Sequence, residues 1–220
     1  RKEYFPLYKA GRKTGRDSSP LNWSQIFDCF NTIKTELKTI FPYKFIQVDT
    51  AEADDIIGVI CRYSSQVKEK VLIVSSDKDF IQLHDKYVRQ WSPVTKKFVN
   101  GIEPSQYLFE HILKGDKGDG IPNILSADDS IVNGVRQKPI TKKYIDNFVL
   151  HNAELNGRTD TEIRNFHRNE KLIDLKNTPK ELSDIIWNEY QKEPEGERRN
   201  LLNFFVEKRL NNLIESLGDF

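Results

Sequence analysis

The chain has 220 residues, enough for one sizeable domain or for a core with a helical appendage. With 37% apolar and 30% charged residues it describes a soluble globular protein, and no run approaches the roughly 18 apolar residues of a membrane span. No charged-then-apolar secretory signal opens it, and a net charge of +1 does not by itself announce nucleic acid. Cys29 and Cys61, two lone thiols in apolar surroundings, are expected to be buried rather than bridged, which fits a reducing cytoplasm.

Residues 1–16, "RKEYFPLYKAGRKTGR", hold six Lys/Arg against one Glu, with Tyr4, Phe5 and Tyr8 interleaved. Cations neutralise phosphates and aromatics stack on bases, so the stretch suits a nucleic-acid strand; a solvated, poorly ordered terminus explains it equally well. From Trp23 to Ile40 apolar residues recur every three or four positions, the period of an amphipathic helix. "KFIQV" (44–48) predicts a short strand, and "AEADDIIGVICRYSSQ" (51–66) a helix with its acids at the N-terminal end. "VLIVS" (71–75) is apolar throughout, as expected of a strand covered on both faces, so 44–75 predicts a βαβ unit with parallel pairing. Residues 87–99 predict a hairpin around Ser92-Pro93, and 103–114 a helix that breaks at the glycine loop "GDKGDGIPN" (115–123).

Beyond residue 139 helical periodicity dominates in "PITKKYIDNFVL", "PKELSDIIWNEYQ" and "ERRNLLNFFVEKRLNNLIESL", while 151–170 is polar and weakly periodic. The apolar stripe of the last segment is expected to pack on the domain; docking of a replication partner such as a single-strand-binding protein is the alternative. The expected fold class is an α/β parallel-sheet core with a mostly helical C-terminal half. Expected boundaries are a basic segment at 1–20, an α/β core at 21–114 and a helical region at 115–220.

Three acidic groups share one context. Glu52, Asp54 and Asp55 open a helix, Asp77 and Asp79 follow the apolar strand, and Asp116 and Asp119 sit in the glycine loop. Ligands bind outside the carboxyl ends of parallel strands, so the first two groups are expected to converge and the third to fold over them. Two carboxylates about 5 Å apart repel by about 3 kcal/mol at an effective dielectric near 20. A divalent cation removes that cost, and an all-oxygen donor set without His or Cys favours Mg²⁺ or Mn²⁺ over zinc. Taken singly, each cluster also reads as a helix start, a turn or a loop, with Lys78, Lys114 and Lys117 as counter-charges.

"EADDIIGVI", "VLIVSSDKDFIQL" and "LKGDKGDGIP", in this order, resemble the 5′ nucleases, or flap endonucleases, across essentially the whole chain. The resemblance implies a PIN-like core, a helix–loop–helix that binds duplex, and a two-metal phosphodiesterase using two Mg²⁺ ions, with Mn²⁺ as substitute. Such an enzyme removes RNA primers and adjacent DNA from 5′ ends during phage DNA replication. Its substrates would be RNA–DNA hybrid, 5′-flap and nicked duplex DNA. By motif position Glu52, Asp54, Asp77, Asp79, Asp116 and Asp119 would be metal ligands, with Asp55 equally explained as a helix cap. Residues 1–13 look like the family's basic helical arch. There Lys9 would stabilise the reacting phosphate, and Arg1, Arg12 and Lys13 would contact the strand. Lys117, Gly118 and Gly120 would touch duplex phosphate.

The family's I-P-G-V-x-G-I-G-x-K-T-A continuation is replaced by "IPNILSADDSIVNGVRQKPITKKY". Gly134, Arg136, Lys138, Lys142 and Lys143 remain for a second phosphate contact, and Gly120 stands where the family has Asn. Two upstream strands that carry metal-binding aspartates in the family have no counterpart here. The chain also starts at Arg1 and contains no methionine, so such strands are expected in the natural chain; without them it would be inactive. Two other readings compete. A haloacid-dehalogenase-type phosphatase also places D-x-D after a strand, but leaves "EADD" unexplained. A non-catalytic binder of branched DNA would retain the acids as relics.

Overall fold

The computed structural model describes residues 1–150 and 158–220, and contacts divide the chain into two compact units. Arg1–Ser18 and Ile57–Pro179 form the first; Ser19–Ile56 and Lys180–Phe220 form the second. In chain order the helices and strands begin with α1 (Gly11–Asp17), α2 (Trp23–Ile40), α3 (Ala53–Gln66), β1 (Val71–Val74), β2 (Val88–Ser92) and β3 (Lys97–Phe98). There follow α4 (Pro104–Lys114), α5 (Lys142–Leu150), α6 (Asp160–Ile173), α7 (Lys180–Gln191), α8 (Leu201–Glu207) and α9 (Asn211–Glu215). This is an α/β chain with a small sheet and a helical C-terminal half.

In the first unit β1 pairs with β2 in parallel, Val71 opposite Val88 through Val74 opposite Trp91, and β3 closes the hairpin antiparallel to β2. The connection from β1 to β2 runs through a 3₁₀ turn, Lys78–Leu83, that buries Phe80, Ile81 and Gln82. Two sequence expectations fail here. Residues 44–48 join no ladder among the described residues, so neither that strand nor a strand–helix–strand unit is present. An extended segment becomes a strand only where a neighbour takes its N–H and C=O groups. Nor is β1 covered on both faces: Ile73 is buried, but Leu72 and Val74 are 54% and 61% exposed. Side chains alternate across a strand, so these two share the uncovered face.

The larger core of this unit is aromatic and spans distant sequence. Phe148 stacks on Phe166 at 5.8 Å, and Phe109 meets Phe148 edge-on at 5.4 Å. Ile112, Leu113, Ile121, Ile124 and Leu172 fill the space between, and Phe5 and Tyr8 join them. The basic N-terminus is therefore no loose tail: Phe5 and Tyr8 are 4% and 3% exposed, although Tyr4 is 45% exposed, and Arg1 Nε donates to the Leu172 carbonyl. Helix in this stretch begins only at Gly11, and residues 1–10 form turns, so the expected basic helix of 1–13 is shorter and later.

The polar stretch 151–170 contains the clearest surprise. Residues 151–157 lie outside the described residues, but 160–173 form α6, opened by a capping box in which Thr159 and Glu162 exchange hydrogen bonds. Its inward face carries Asn165, Arg168 and Asn169, all buried, among Phe166, Leu172 and Ile173. An apolar period cannot reveal a helix that buries amides.

In the second unit Asn22 caps α2 by accepting from the Gln25 amide at 3.2 Å. No residue of α2 is buried, and Cys29 is exposed rather than buried; Cys61, in the first unit, is buried and free. The long C-terminal helix expected over 197–217 is broken: α8 ends at Glu207, Arg209 takes φ +56°, and α9 follows. The break lets the chain fold back, so Leu201, Phe204 and Phe205 are buried against Phe41, Leu213, Leu217 and Phe220. The apolar stripe thus packs within its own unit. No helix of the described residues is long and apolar enough to cross a membrane.

Asn165 is fully buried, and its Nδ2 donates to the carbonyls of Ile124 (2.9 Å) and Ser126 (3.2 Å). Replacing it with alanine strands two buried acceptors, each costing about 1–3 kcal/mol. Urea unfolding of Asn165→Ala should show a loss of about 2–4 kcal/mol, whereas Leu202→Ala, at an exposed site, should cost under about 1 kcal/mol.

Candidate metal centre

Asp77 and Asp79 leave the carboxyl end of β1 in a turn held from below. Gln90 of β2, 1% exposed, donates through Nε2 to the carbonyls of Ser75 (2.8 Å) and Asp77 (2.7 Å). Ser76 and Ser92 share a hydroxyl hydrogen bond at 2.8 Å. Asp77 then caps the 3₁₀ turn, its Oδ1 accepting from the Asp79 amide at 3.0 Å. The pinned turn aims the half-buried Asp79 side chain at helix α4.

Asp116 and Asp119 follow α4. Gly115 ends the helix at φ +67°, and a Cβ there would stand 2.4 Å from the Ile121 carbonyl oxygen, so only glycine fits. The loop closes on itself through Asp116 and Ile121, which exchange backbone hydrogen bonds at 2.9 and 2.7 Å. Asp116 Oδ1 accepts from the Asp119 amide at 3.0 Å. The two aspartates then diverge. Asp119 is taken by the N-terminal segment: Tyr8 Oη donates to it at 2.9 Å, Arg12 at 2.8 Å, and Lys9 Nζ lies 3.4 Å away. The Lys9 amide donates to the Asp119 carbonyl at 2.8 Å, with Lys9 itself at φ +54°.

Asp116 meets His111 instead. Nε2 of His111 lies 3.4 Å from Asp116 Oδ2, and Nδ1 lies 3.5 Å from Asp79 Oδ1. One donor atom from each of the three residues falls within 4.8 Å of the others. Burial opposes a charged imidazole, but Asp116, Asp79 and Asp119 outweigh it and hold His111 above the ordinary histidine range. The same contact draws the Asp116 carboxyl below the usual carboxylate range, against its burial. Tyr107, one turn before His111 and edge-on to its ring at 5.7 Å, has its phenol pushed up by burial and by the charges of Asp79, Asp77 and Asp116.

Sequence reasoning expected no histidine beside the acids, and that is corrected here. His111 precedes Asp116 by five residues, and the α4 turn followed by the Gly115 bend brings them together. In the sequence it is a single imidazole in the last turn of a helix that ends at Gly115, with nothing local to mark it as a ligand. The lysines offered as counter-charges stand elsewhere: Lys114 pairs with Glu110 at 2.6 Å, and Lys78 and Lys117 are exposed.

The remaining acids belong to the second unit. Asp55 is buried, and its Oδ2 accepts from the Glu52 amide at 2.9 Å, while Glu52 and Asp54 are half-buried at the start of α3. Of the cations and glycines expected at nucleic acid, Lys13, Lys117, Gly118, Arg136, Lys138, Lys142 and Lys143 are exposed, and Gly120 is buried. Arg1 is turned inward to Leu172.

Two family models match the chain: a 5′–3′ exonuclease N-terminal resolvase-like domain over residues 1–110, and the T4 RNase H C-terminal region over 104–220. The Ribonuclease H of Enterobacteria phage T4 is 33% identical over a 229-residue alignment covering 100% of this chain and 74% of that protein. The flap endonuclease Xni of Shewanella oneidensis is 31% identical over 132 residues, 56% of this chain and 47% of that protein. Among solved structures, the bacteriophage T5 5′-exonuclease with bound zinc superposes with a TM-score of 0.58 at 21% identity, covering 85% of this chain and 77% of that one. A T5 flap endonuclease complex with DNA and metal ions gives 0.55 at 19%, covering 87% and 79%. At these identities the two structures show the shared fold.

Gly115→Ala places a methyl group against the Ile121 carbonyl in a left-handed backbone. Urea unfolding should register a loss of more than about 1 kcal/mol. An unchanged midpoint would show that the loop has room, and that the position of Asp116 does not depend on glycine.

Proposed function

The chain belongs to the 5′–3′ exonuclease family, whose relatives named above are nucleases, and on that premise we propose that it is a divalent-metal-dependent 5′ nuclease. Its action would be exonuclease and flap endonuclease cleavage of RNA primers and adjacent DNA at 5′ ends, in phage DNA replication. The observation that carries this reading is the convergence of Asp79 and Asp116, from two separate elements, on one point with His111. The donor set fits a divalent cation: carboxylates this close repel, and the buried Nδ1 of His111 has no hydrogen-bond partner among the described residues.

When bound, the metal supplies activation of water and neutralisation of phosphate charge. The chain's own residues do the rest. Asp79 and Asp116 would hold the ion in the first unit, directly or through His111, and by motif Asp77, Glu52 and Asp54 would be further carboxylates. Asp55 braces the α3 start. Asp119 ties the N-terminal segment to the loop, so Lys9 stands beside the acids where it meets the charge of a reacting phosphate. Arg12 and Lys13 on α1 follow the single strand, and Lys117, with the amides of Gly118 and Gly120, takes duplex phosphate, as does Arg136. These contacts carry no base reading, consistent with a substrate recognised by structure, such as a flap, a nick or an RNA–DNA hybrid.

The test is cleavage of a 5′-labelled RNA–DNA duplex and of a 5′ flap, with Mg²⁺ or Mn²⁺ and with chelator. Asp79→Asn should lower turnover at least about a hundredfold, since removing even an outer partner of a ligand costs 10–100-fold. Wild-type rates in that variant would remove Asp79 from the site. Binding of the flap without cleavage under any metal would favour the branched-DNA binder. Lys13→Glu should weaken flap binding and reduce the salt slope by about one, whatever the sequence of the flap.

A further inference from the structure

We propose that His111 is itself a metal ligand through Nδ1, beside Asp79, so that this position, with Asp116 behind the ring at Nε2, selects a first-row transition ion such as Mn²⁺, Co²⁺ or Zn²⁺ over Mg²⁺. This rests on the metal reading above and deepens it by naming the class of ion. Nδ1 of His111 is buried, has no hydrogen-bond partner among the described residues and stands 3.5 Å from Asp79 Oδ1. That is longer than the 2.7–3.2 Å typical of an N–H···O bond. It is instead the spacing of two donors on one ion: ligand atoms about 2.1 Å from a metal at a tetrahedral angle lie about 3.4 Å apart.

The other nitrogen completes the pattern. Nε2 faces Asp116 Oδ2 at 3.4 Å, the carboxylate to which a metal-bound imidazole would turn its remaining N–H, and closing that distance would fix tautomer and ring orientation. Asp116 is placed for that duty because its Oδ1 is already oriented by the Asp119 amide. The ring has little freedom to turn away, with Tyr107 against its edge and the side chain only 14% exposed. Imidazole suits transition ions, and its affinity rises from Mn²⁺ through Co²⁺, whereas Mg²⁺ takes oxygen and holds its water. An all-carboxylate site would lack this bias.

The experiment uses the full chain and Mn²⁺ alone, observed by pulsed electron paramagnetic resonance. Bound Mn²⁺ should show coupling to a directly coordinated ¹⁴N, and the coupling should vanish in His111→Gln. In competition titrations that variant should lose at least about tenfold in Mn²⁺ affinity and less than about threefold in Mg²⁺ affinity. The wild-type spectrum keeps the test decisive even if the variant folds poorly. Mn²⁺ bound without nitrogen coupling overturns the inference and leaves the metal reading standing. Coupling that persists in His111→Gln assigns the nitrogen to another histidine and also overturns it. Failure to bind Mn²⁺ at all overturns both.

Discussion

The site depends on a set of carbonyls that have no partner in their own segment. Where α4 ends and the glycine loop begins, the chain passes through an aromatic core, out of reach of water. Its backbone oxygens must still be paired, because each one left bare costs about 1–3 kcal/mol. The inward face of α6 meets that demand. Asn169 Nδ2 donates to Ile112 (2.8 Å) and Pro122 (2.9 Å), Arg168 Nη2 donates to Pro122 (2.8 Å), and Asn165 Nδ2 donates to Ile124 and Ser126. Asp128 pairs with Arg168 and with Arg164, so the guanidinium buried under the loop keeps a counter-charge. A polar helix is thereby what fixes the last turn of α4 and the residues after it, and with them His111 and Asp116.

Within that frame the acids are sorted by partner. Asp119 faces a hydroxyl, a guanidinium and an ammonium from residues 8–12, and so works as an anchor for the N-terminal segment. Asp116, three residues earlier and tied to the Asp119 amide, faces an imidazole, which can carry a proton or give a lone pair to a metal. The two roles are coupled through backbone. Lys9 donates its amide to the Asp119 carbonyl, so the segment that brings cations also holds the loop that brings carboxylates. Electrostatics at the site is therefore set by which side chain reaches which aspartate, more than by the near-zero net charge of the whole.

Much of this could be read from the chain, and the parts that could not share a cause. Helices α2, α3, α4 and α7 have apolar residues at helical spacing, and the hairpin of β2 and β3 has Pro93 at its turn; those elements followed from pattern. The D-x-D after β1 and the D-x-x-D after Gly115 stood out because glycine and strand ends mark where side chains are presented. Helix α6 did not, because Asn165, Arg168 and Asn169 are buried for their donors, and polarity reads as exposure. Only the Thr159–Glu162 capping box marked its start. Residues 44–48 misled in the opposite sense, since strand composition without a neighbour makes no ladder. Cys29 and the break at Arg209 are tertiary outcomes, set by what covers α2 and by the return of Phe220 onto Phe205 at 5.3 Å. His111 was missed because one histidine on an amphipathic helix has no local signature; its meaning comes from a turn that closes five residues later.

The same dependence explains why the ligands cannot be understood from their own elements. Asp79 rides on a turn pinned by Gln90 from the neighbouring strand, and Asp116 on a loop pinned by α6 from some fifty residues downstream. His111 sits between them on α4, which packs on both the 3₁₀ turn and α6. Binding geometry is thus set by the packing of α4 on α6 and on the 3₁₀ turn, and each carboxylate inherits it. Weakening the buried amides of α6 should therefore loosen the metal position before it unfolds the protein, since the carbonyls freed first are those nearest the glycine loop.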